Sequence, residues 1–177
     1  VTNSGTLATS AGSIALSGSW ISSGVFTSGT GTVTFNSSGA QTLNTGGLAN
    51  AFYNLTHSGA GTVTASTNLI DINNSFTNSA GTFNANGLNM TVGKDWSNSA
   101  TFTPGTNTVT LDGSSQTVTG ITSFYNLTKI TAATDTLTLS AAPGDQQTVT
   151  HFLTLKGALA NILTLVKAGA NAQAVLK

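Results

Sequence analysis

The 177-residue sequence has no cysteine, no glutamate and no arginine, and only 6 % of its residues are charged. Without cysteine there are no disulfide bonds and no thiolate metal sites, so packing and backbone pairing must hold the fold. Five lysines and five aspartates give a formal net charge of zero. Because phosphate neutralisation supplies most of the affinity for nucleic acid, we predict no nucleic-acid partner. Binding to an anionic membrane surface is disfavoured for the same reason.

Long apolar segments are also missing. The longest apolar run, near 157–166, is too short and too interrupted to span a bilayer, so we predict no membrane insertion. The sequence begins with Val1 and shows no signal peptide, which we interpret as a processed form or a cut fragment. Abundant Thr, Ser, Asn and Gly with few charged residues is typical of extracellular bacterial proteins.

What the sequence does contain is a series of short alternating phrases. In Thr32–Phe35, Thr108–Leu111 and Thr136–Leu139, threonine alternates with an apolar residue, which predicts strands with one buried face and one solvent face. Gly, Asn and Ser between the phrases predict tight turns. A helical alternative exists only for Ala158–Lys177, where Gly169 and the β-branched Ile162 and Val166 weaken it.

One stretch of the sequence occurs twice, at about 20–66 and 96–140. Trp20 recurs as Trp96 at an offset of 76 (96 − 20), and the pentapeptide Phe52–Thr56 recurs unchanged as Phe124–Thr128 at an offset of 72 (124 − 52). Between these landmarks the offset is 76 or 75, in the pairs Phe26/Phe102, Val33/Val109, Asn36/Asp112 and Gln41/Gln116. A period this long indicates duplicated supersecondary blocks.

Short strands, many turns and a duplication leave three folds open, namely a β-sandwich, a β-propeller and a β-solenoid. Sandwich strands usually alternate over longer stretches, and propeller blades repeat near ~40 residues. We therefore predict an all-β fold, a right-handed parallel β-solenoid (β-helix) forming a single domain over 1–177. With coils of roughly twenty residues, eight or nine turns are expected.

The phrases GTVTFNSSGAQTLN…FYNLT, TNTVTLDGSSQTVTG…SFYNLT and QQTVTHFLTLKGALANILTL resemble the repeats of large bacterial cell-surface and secreted β-helix proteins. These are adhesins of the filamentous-haemagglutinin and autotransporter-passenger kind. The resemblance covers nearly the whole chain. It implies a structural role as stalk, adhesin or filament component, and it implies no particular ligand residue.

No residue set predicts a catalytic, cofactor or metal site. A glycoside hydrolase needs two carboxyl groups within about 5–10 Å, whereas the aspartates are scattered and without Glu or Arg partners: Asp71, Asp95, Asp112, Asp135 and Asp145. We interpret the Asp112-Gly113 and Gly144-Asp145 dipeptides as turns. His57 and His151 lack metal-ligand spacing and are predicted at the surface or at corners. The chain is thus not expected to be an enzyme, and a polysaccharide-active one is the weakest alternative.

Four further features have a structural and a functional interpretation. We place Trp20 and Trp96 in equivalent core positions in preference to exposed sugar platforms. The five Asn-x-Ser/Thr sequons, at Asn36, Asn54, Asn73, Asn89 and Asn126, follow from composition. In the repeated pentapeptide we expect Phe and Leu to point inward and Asn to occupy a bend. Thr-x-Thr phrases suggest an ice-binding surface. A flat array of this kind needs one phrase per coil in register, and the irregular recurrence of the phrases in the sequence disfavours it.

The leading prediction is a structural segment of an extracellular rod, an adhesin stalk or a filament that associates head to tail or continues in a longer chain. Unpaired strand edges at the ends of a solenoid would template that pairing. The alternative is a module that binds glycans along the polar Thr/Asn surface.

Overall fold

The computed structural model describes residues 1–47, 50–140, 142 and 144–168. These residues contain no helix, and their parallel strands stack in about seven turns, so the prediction of a parallel β-solenoid is confirmed. The described residues thus show fewer turns than the eight or nine expected for the whole chain. Paired residues in successive turns are between 18 positions apart (Val109 and Leu127) and 28 positions apart (Leu139 and Lys167), so the turns are less uniform than predicted.

In the described part of the chain the solenoid has twenty strands, most of them three to five residues long. In chain order they are β1 (Thr2–Asn3), β2 (Thr6–Ala8), β3 (Ile14–Leu16), β4 (Trp20–Ser22), β5 (Val25–Thr27), β6 (Thr32–Phe35), β7 (Gln41–Asn44), β8 (Asn54–His57), β9 (Thr62–Thr67), β10 (Ile70–Ile72), β11 (Phe76–Asn78), β12 (Thr82–Asn84), β13 (Met90–Val92), β14 (Trp96–Asn98), β15 (Thr101–Thr103), β16 (Thr108–Leu111), β17 (Gln116–Ile130), β18 (Asp135–Leu139), β19 (Gln146–Lys156) and β20 (Leu163–Lys167).

Strand pairing divides the solenoid into three lateral faces. The first face is the ladder β1-β4-β7-β9-β12-β15. The second begins with β2-β5 and continues, after a bridge between Phe52 and Ile72, as β10-β13-β16, the end of β17, and β19. The third is β3-β6-β8-β11-β14, the start of β17, β18 and β20. Among the described residues, each of the first six turns contributes a strand or strand segment to the first and third faces, whereas the third turn contributes only the bridge residue Phe52 to the second face.

Period-2 alternation fills the interior. In β6 and β16 the apolar residues are buried and the threonines are partly exposed, as the sequence predicts. Aromatic rings form two clusters on the axis. The smaller contains Trp20, Phe26 and Phe52, and the larger contains Phe76, Phe83, Trp96, Phe102 and Phe124. Both tryptophans are fully buried, so the core interpretation is confirmed for Trp20 and Trp96.

Glycines stack where the third face bends into the first. A Cβ on Gly61 would lie 2.0 Å from the carbonyl oxygen of Gly39, and a Cβ on Gly81 would lie 2.1 Å from that of Gly61. No side chain fits at such distances, and Gly81 also adopts a positive φ of 60°. Glycine at this corner therefore lets consecutive turns approach to strand-pairing distance.

The helical alternative for Ala158–Lys177 is wrong where the structure describes it. Leu163–Lys167 forms β20, which pairs in parallel with β18, and Ala158 bridges to Asn161. Residues 174–177, which in sequence resemble a further strand, lie outside the described residues.

Candidate functional site

The two sequence copies occupy different faces of the solenoid. Trp20 is on the first face in β4, whereas Trp96 is on the third face in β14. Likewise β6 with Val33 is on the third face and β16 with Val109 is on the second. The step from one copy to the next therefore advances three turns and two faces. The second copy is the first one moved along the axis and rotated by a third of a revolution.

Contacts within each copy survive this rotation. The Gln41 side-chain amide donates to the carbonyls of Leu16 and Gly18 at 2.9 and 2.6 Å. Gln116 donates to the equivalent carbonyls of Val92 and Lys94 at 2.8 and 2.6 Å. Trp and Phe rings meet edge to face in both copies, with centroids 4.7 Å apart for Trp20–Phe26 and 4.9 Å apart for Trp96–Phe102. The repeat is therefore a structural unit.

The repeated pentapeptide forms a polar surface patch in each copy. We define patch 1 as the residues Thr32, Thr34, Tyr53, Asn54 and Thr56. Patch 2 consists of their equivalents in the second copy, Thr108, Thr110, Tyr125, Asn126 and Thr128. All ten are partly exposed, while Phe52, Phe124, Leu55 and Leu127 are buried as predicted. Asn54 and Asn126 do not occupy a bend, because both are strand residues; in copy 1 the bend falls at Tyr53.

The asparagine of each patch is held in one orientation. Asn54 donates to the Thr32 hydroxyl at 3.3 Å, and its oxygen accepts from the Asn74 side chain at 2.8 Å. Asn126 donates to the Thr108 hydroxyl at 3.2 Å, and its oxygen lies 3.0 Å from Nδ1 of His151. The same side-chain geometry thus appears on two faces.

Outward threonines align between turns despite their irregular spacing in sequence. Cross-turn pairing places hydroxyl side chains in continuous rows, one per face: Thr62, Thr82 and Thr101 on the first face, Thr91, Thr110, Thr128 and Thr154 on the second, and Thr34, Thr56, Thr77, Ser97 and Thr119 on the third. Variable corner lengths thus bring single hydroxyls into register. The Thr-x-Thr phrases themselves do not stack as a regular array, as expected, because their other threonine pairs with asparagine in Thr32–Asn54, Thr64–Asn84 and Thr108–Asn126.

The structure does not gather the aspartates into one site. Asp95 accepts from the amide of Thr117 at 2.8 Å, and Asp145 follows a turn. Asp71 accepts a short hydrogen bond from the Thr91 hydroxyl. Burial raises the pKa of Asp112, and the negative charge of Asp71 raises it further. Within the described ranges, no three His, Asp or other ligand side chains converge on a possible metal position.

Asp135 instead forms a buried ion pair that sequence interpretation missed. Its Oδ2 lies 2.7 Å from Nζ of Lys129, whose side chain is fully buried. Nζ also donates to Oε1 of Gln116 at 2.6 Å and to the carbonyl of Gly113. Oδ1 of Asp135 accepts from the amides of Ser115 and Thr136, both at 2.7 Å. The available sequence signal was the period-2 alternation of strand residues. Lys129 lies two positions after the inward-facing Leu127, and Asp135 lies two positions before the inward-facing Leu137.

The environment of Asp135 favours its charged form. Burial alone would raise the pKa of this carboxyl. The hydrogen bonds from Lys129 and the two backbone amides, together with the lysine charge, outweigh burial and hold the pKa of Asp135 below its ordinary value. The ammonium and both carboxylate oxygens each have a partner at hydrogen-bonding distance, which is the condition under which a buried pair persists.

His57 takes the place in the first copy that Lys129 takes in the second. It is fully buried, so its predicted surface position is wrong, while His151 is exposed as expected. Nδ1 of His57 lies 2.9 Å from Oδ1 of Asn78, and Asn78 donates to Asn98 at 2.8 Å. Burial lowers the pKa of His57, and the bond to Asn78 opposes this less strongly. The imidazole therefore joins an internal polar ladder as a neutral group.

The last described turn leaves the solenoid interior partly open. Leu127 and Leu137 are 3 % and 1 % exposed, whereas their partners one turn later, Leu153 and Leu165, are only partly buried. Among the described residues, β19 pairs only with β17, and β20 only with β18. In the part of the chain that the structure describes, partly exposed leucines and two strands with one pairing partner each thus lie in the same turn.

Comparisons with protein-family models, with curated proteins and with solved structures find no match to this chain. The part of the chain that the structure describes has no helix long and apolar enough to cross a membrane.

Proposed function

We propose that this chain is a structural segment of an extracellular bacterial surface protein, a rod that lengthens by adding turns at its end. The added turn comes from the same polypeptide, as in an adhesin stalk, or from a second copy, as in a head-to-tail filament. The observation that carries the proposal is the partly open last described turn, where Leu153 and Leu165 lie on strands that have one pairing partner each among the described residues.

The physical argument combines an edge and an apolar surface. Unpaired N–H and C=O groups of a strand pair readily with a further strand. Burying a fully exposed leucine is worth about 1.5–3 kcal/mol, and each partly exposed leucine here gains a fraction of that, so an added turn is favoured on both counts. Zero net charge leaves no long-range repulsion against association. The extracellular setting rests on composition and on the resemblance to surface β-helix proteins.

The test is sedimentation velocity over a concentration series, with electron microscopy of the same samples. Leu153→Lys places a charge on the end surface, and Thr154→Lys places the same charge on the lateral face of the same strand. Leu153→Lys should weaken association about tenfold, because each ~1.4 kcal/mol changes the equilibrium tenfold, while Thr154→Lys leaves it unchanged. Equal effects of the two variants, or a monomer at every concentration, would refute end-to-end stacking.

A further inference from the structure

Patches 1 and 2 keep the same five residues on two different faces, although their surroundings have changed. The flanking outward positions differ, Asn36 from Asp112 and Ser58 from Ile130, and so do two neighbouring inward ones, Phe35 from Leu111 and His57 from Lys129. Packing explains why buried positions of a duplicated unit resemble each other, but it places no such demand on outward ones. The chain has only two tyrosines, and they are the equivalent residues Tyr53 and Tyr125.

From this we propose that patches 1 and 2 are two equivalent binding sites for a sugar unit of a neutral polysaccharide. None of the ten patch residues is charged, which disfavours an anionic or cationic ligand. A half-exposed tyrosine ring offers an apolar face with a polar edge, which suits the C–H face and the hydroxyls of a sugar ring. The inference is independent of end-to-end stacking and assigns the lateral surface a role of its own.

The polar groups of each patch are oriented before any ligand arrives. The hydroxyls of Thr32 and Thr108 accept a hydrogen bond from the neighbouring asparagine, so their own protons remain available to a ligand. Within the described ranges, neither tyrosine hydroxyl has a protein hydrogen-bond partner. Because the asparagine rotamer is already fixed, binding costs little conformational entropy.

The two patches differ in one respect. His151 stacks on Tyr125 with ring centroids 4.6 Å apart and an interplanar angle of 15°. Among the described residues, no aromatic ring stacks on Tyr53. Because a stacked imidazole covers the ring of Tyr125 and no aromatic ring among the described residues covers that of Tyr53, we expect patch 1 to bind more tightly than patch 2.

The placement of the patches makes the chain bivalent. Three turns and two faces separate them, which is roughly 18 Å along the axis at about 4.8 Å per turn. Because they lie on adjacent faces of a three-sided rod, one extended polymer cannot lie flat on both. Two polymer strands can be held at once, so the rod would cross-bridge a neutral polysaccharide.

The test uses the intact chain with three uncharged polymers: soluble dextran, microcrystalline cellulose and chitin. Leu153→Lys serves as the background at a concentration where sedimentation shows it to be monomeric, so that bridging by end-to-end association is excluded and failure of one proposal leaves the other intact. Depletion from solution measures binding, and turbidity or bead aggregation measures bridging. The variants are Tyr53→Ala, Tyr125→Ala and both together, with Ile121→Ala as a control at an exposed apolar position outside the patches.

On at least one polymer we expect binding that is several-fold weaker in each single tyrosine variant and absent in the double variant. Bridging should be lost already in either single variant, because it needs both patches. The Ile121→Ala variant should behave as the background. Absence of binding to all three polymers, binding that persists in the double variant, or bridging by a single variant would each overturn the proposal.

Discussion

Replacing Asp135 by Ala strands the buried ammonium of Lys129. The lysine side chain has no solvent exposure, and its partner oxygen is 2.7 Å away. Removing one member of a buried ion pair costs about 3–5 kcal/mol. The amides of Ser115 and Thr136 also lose their acceptor, and these losses overlap with the first. We therefore expect Asp135→Ala to lower the free energy of unfolding by about 4 kcal/mol.

Asp135→Asn separates charge from hydrogen bonding. The asparagine oxygen can still accept from the two backbone amides, but the ammonium of Lys129 remains without a counter-charge, so the loss should stay at about 3 kcal/mol, roughly 1 kcal/mol less than for Ala. The assay is urea unfolding followed by tryptophan fluorescence, because both tryptophans are fully buried in the native state. Asp145→Ala, at a turn aspartate, is the matched control and should change stability by less than about 0.5 kcal/mol. A loss below about 1 kcal/mol for Asp135→Ala would refute the buried-pair argument.

The pH dependence of this penalty has a defined sign. The native pKa of Asp135 is lower than its value in the unfolded chain, so the carboxylate stabilises the fold fully above the unfolded value of about 3.9. This stabilisation disappears as pH falls through the native pKa. Stability curves of the wild type and Asp135→Ala should therefore converge only below about pH 4.

Three further predictions concern the rest of the interior. Gly61→Ala should lower stability by more than about 2 kcal/mol in urea unfolding, as expected for a backbone clash, whereas Gly5→Ala, with no neighbour within 4 Å of the added Cβ, should be neutral. His57 is neutral when folded because its pKa is lowered, so stability should fall as pH drops below 6.5, and His57→Asn should remove that dependence. Thr122→Val should cost about 1–3 kcal/mol by leaving the buried indole N–H of Trp96, now 3.0 Å from the threonine hydroxyl, without an acceptor. Thermal unfolding of this variant that matches the wild type would contradict the last prediction.

The alternation of apolar and polar residues was enough to predict which side of each strand faces the core, because a solenoid strand has one buried and one solvent-facing side. It correctly placed Val33, Val109 and both tryptophans. The register between successive turns could not be predicted, because the length of a turn varies from 18 positions between Val109 and Leu127 to 28 positions between Leu139 and Lys167. No single spacing therefore shows which phrases stack, and the threonine rows escaped detection.

Rotation of the second copy was hidden for the same reason. The constant offset between Trp20 and Trp96 and between their neighbours looks like a simple repeat. Only the pairing of β4 and β14 with different ladders shows that the second copy lies on another face. The Lys129–Asp135 pair forms around a corner, where strand periodicity lapses. Both residues were predictable as inward-facing from their strands, but their meeting depends on the path of the chain between them.

The rotated repeat also bears on the mechanics of a longer rod. If one face of the unit is bulkier or stiffer than the others, such as the face nearest Trp20 or Trp96, a rod built by translation alone would have that face always on the same side and would bend. Here the same face of the next unit is rotated by a third of a revolution. Three successive units would distribute the imbalance evenly around the axis, so an array of such units would be straight and equally stiff in all lateral directions.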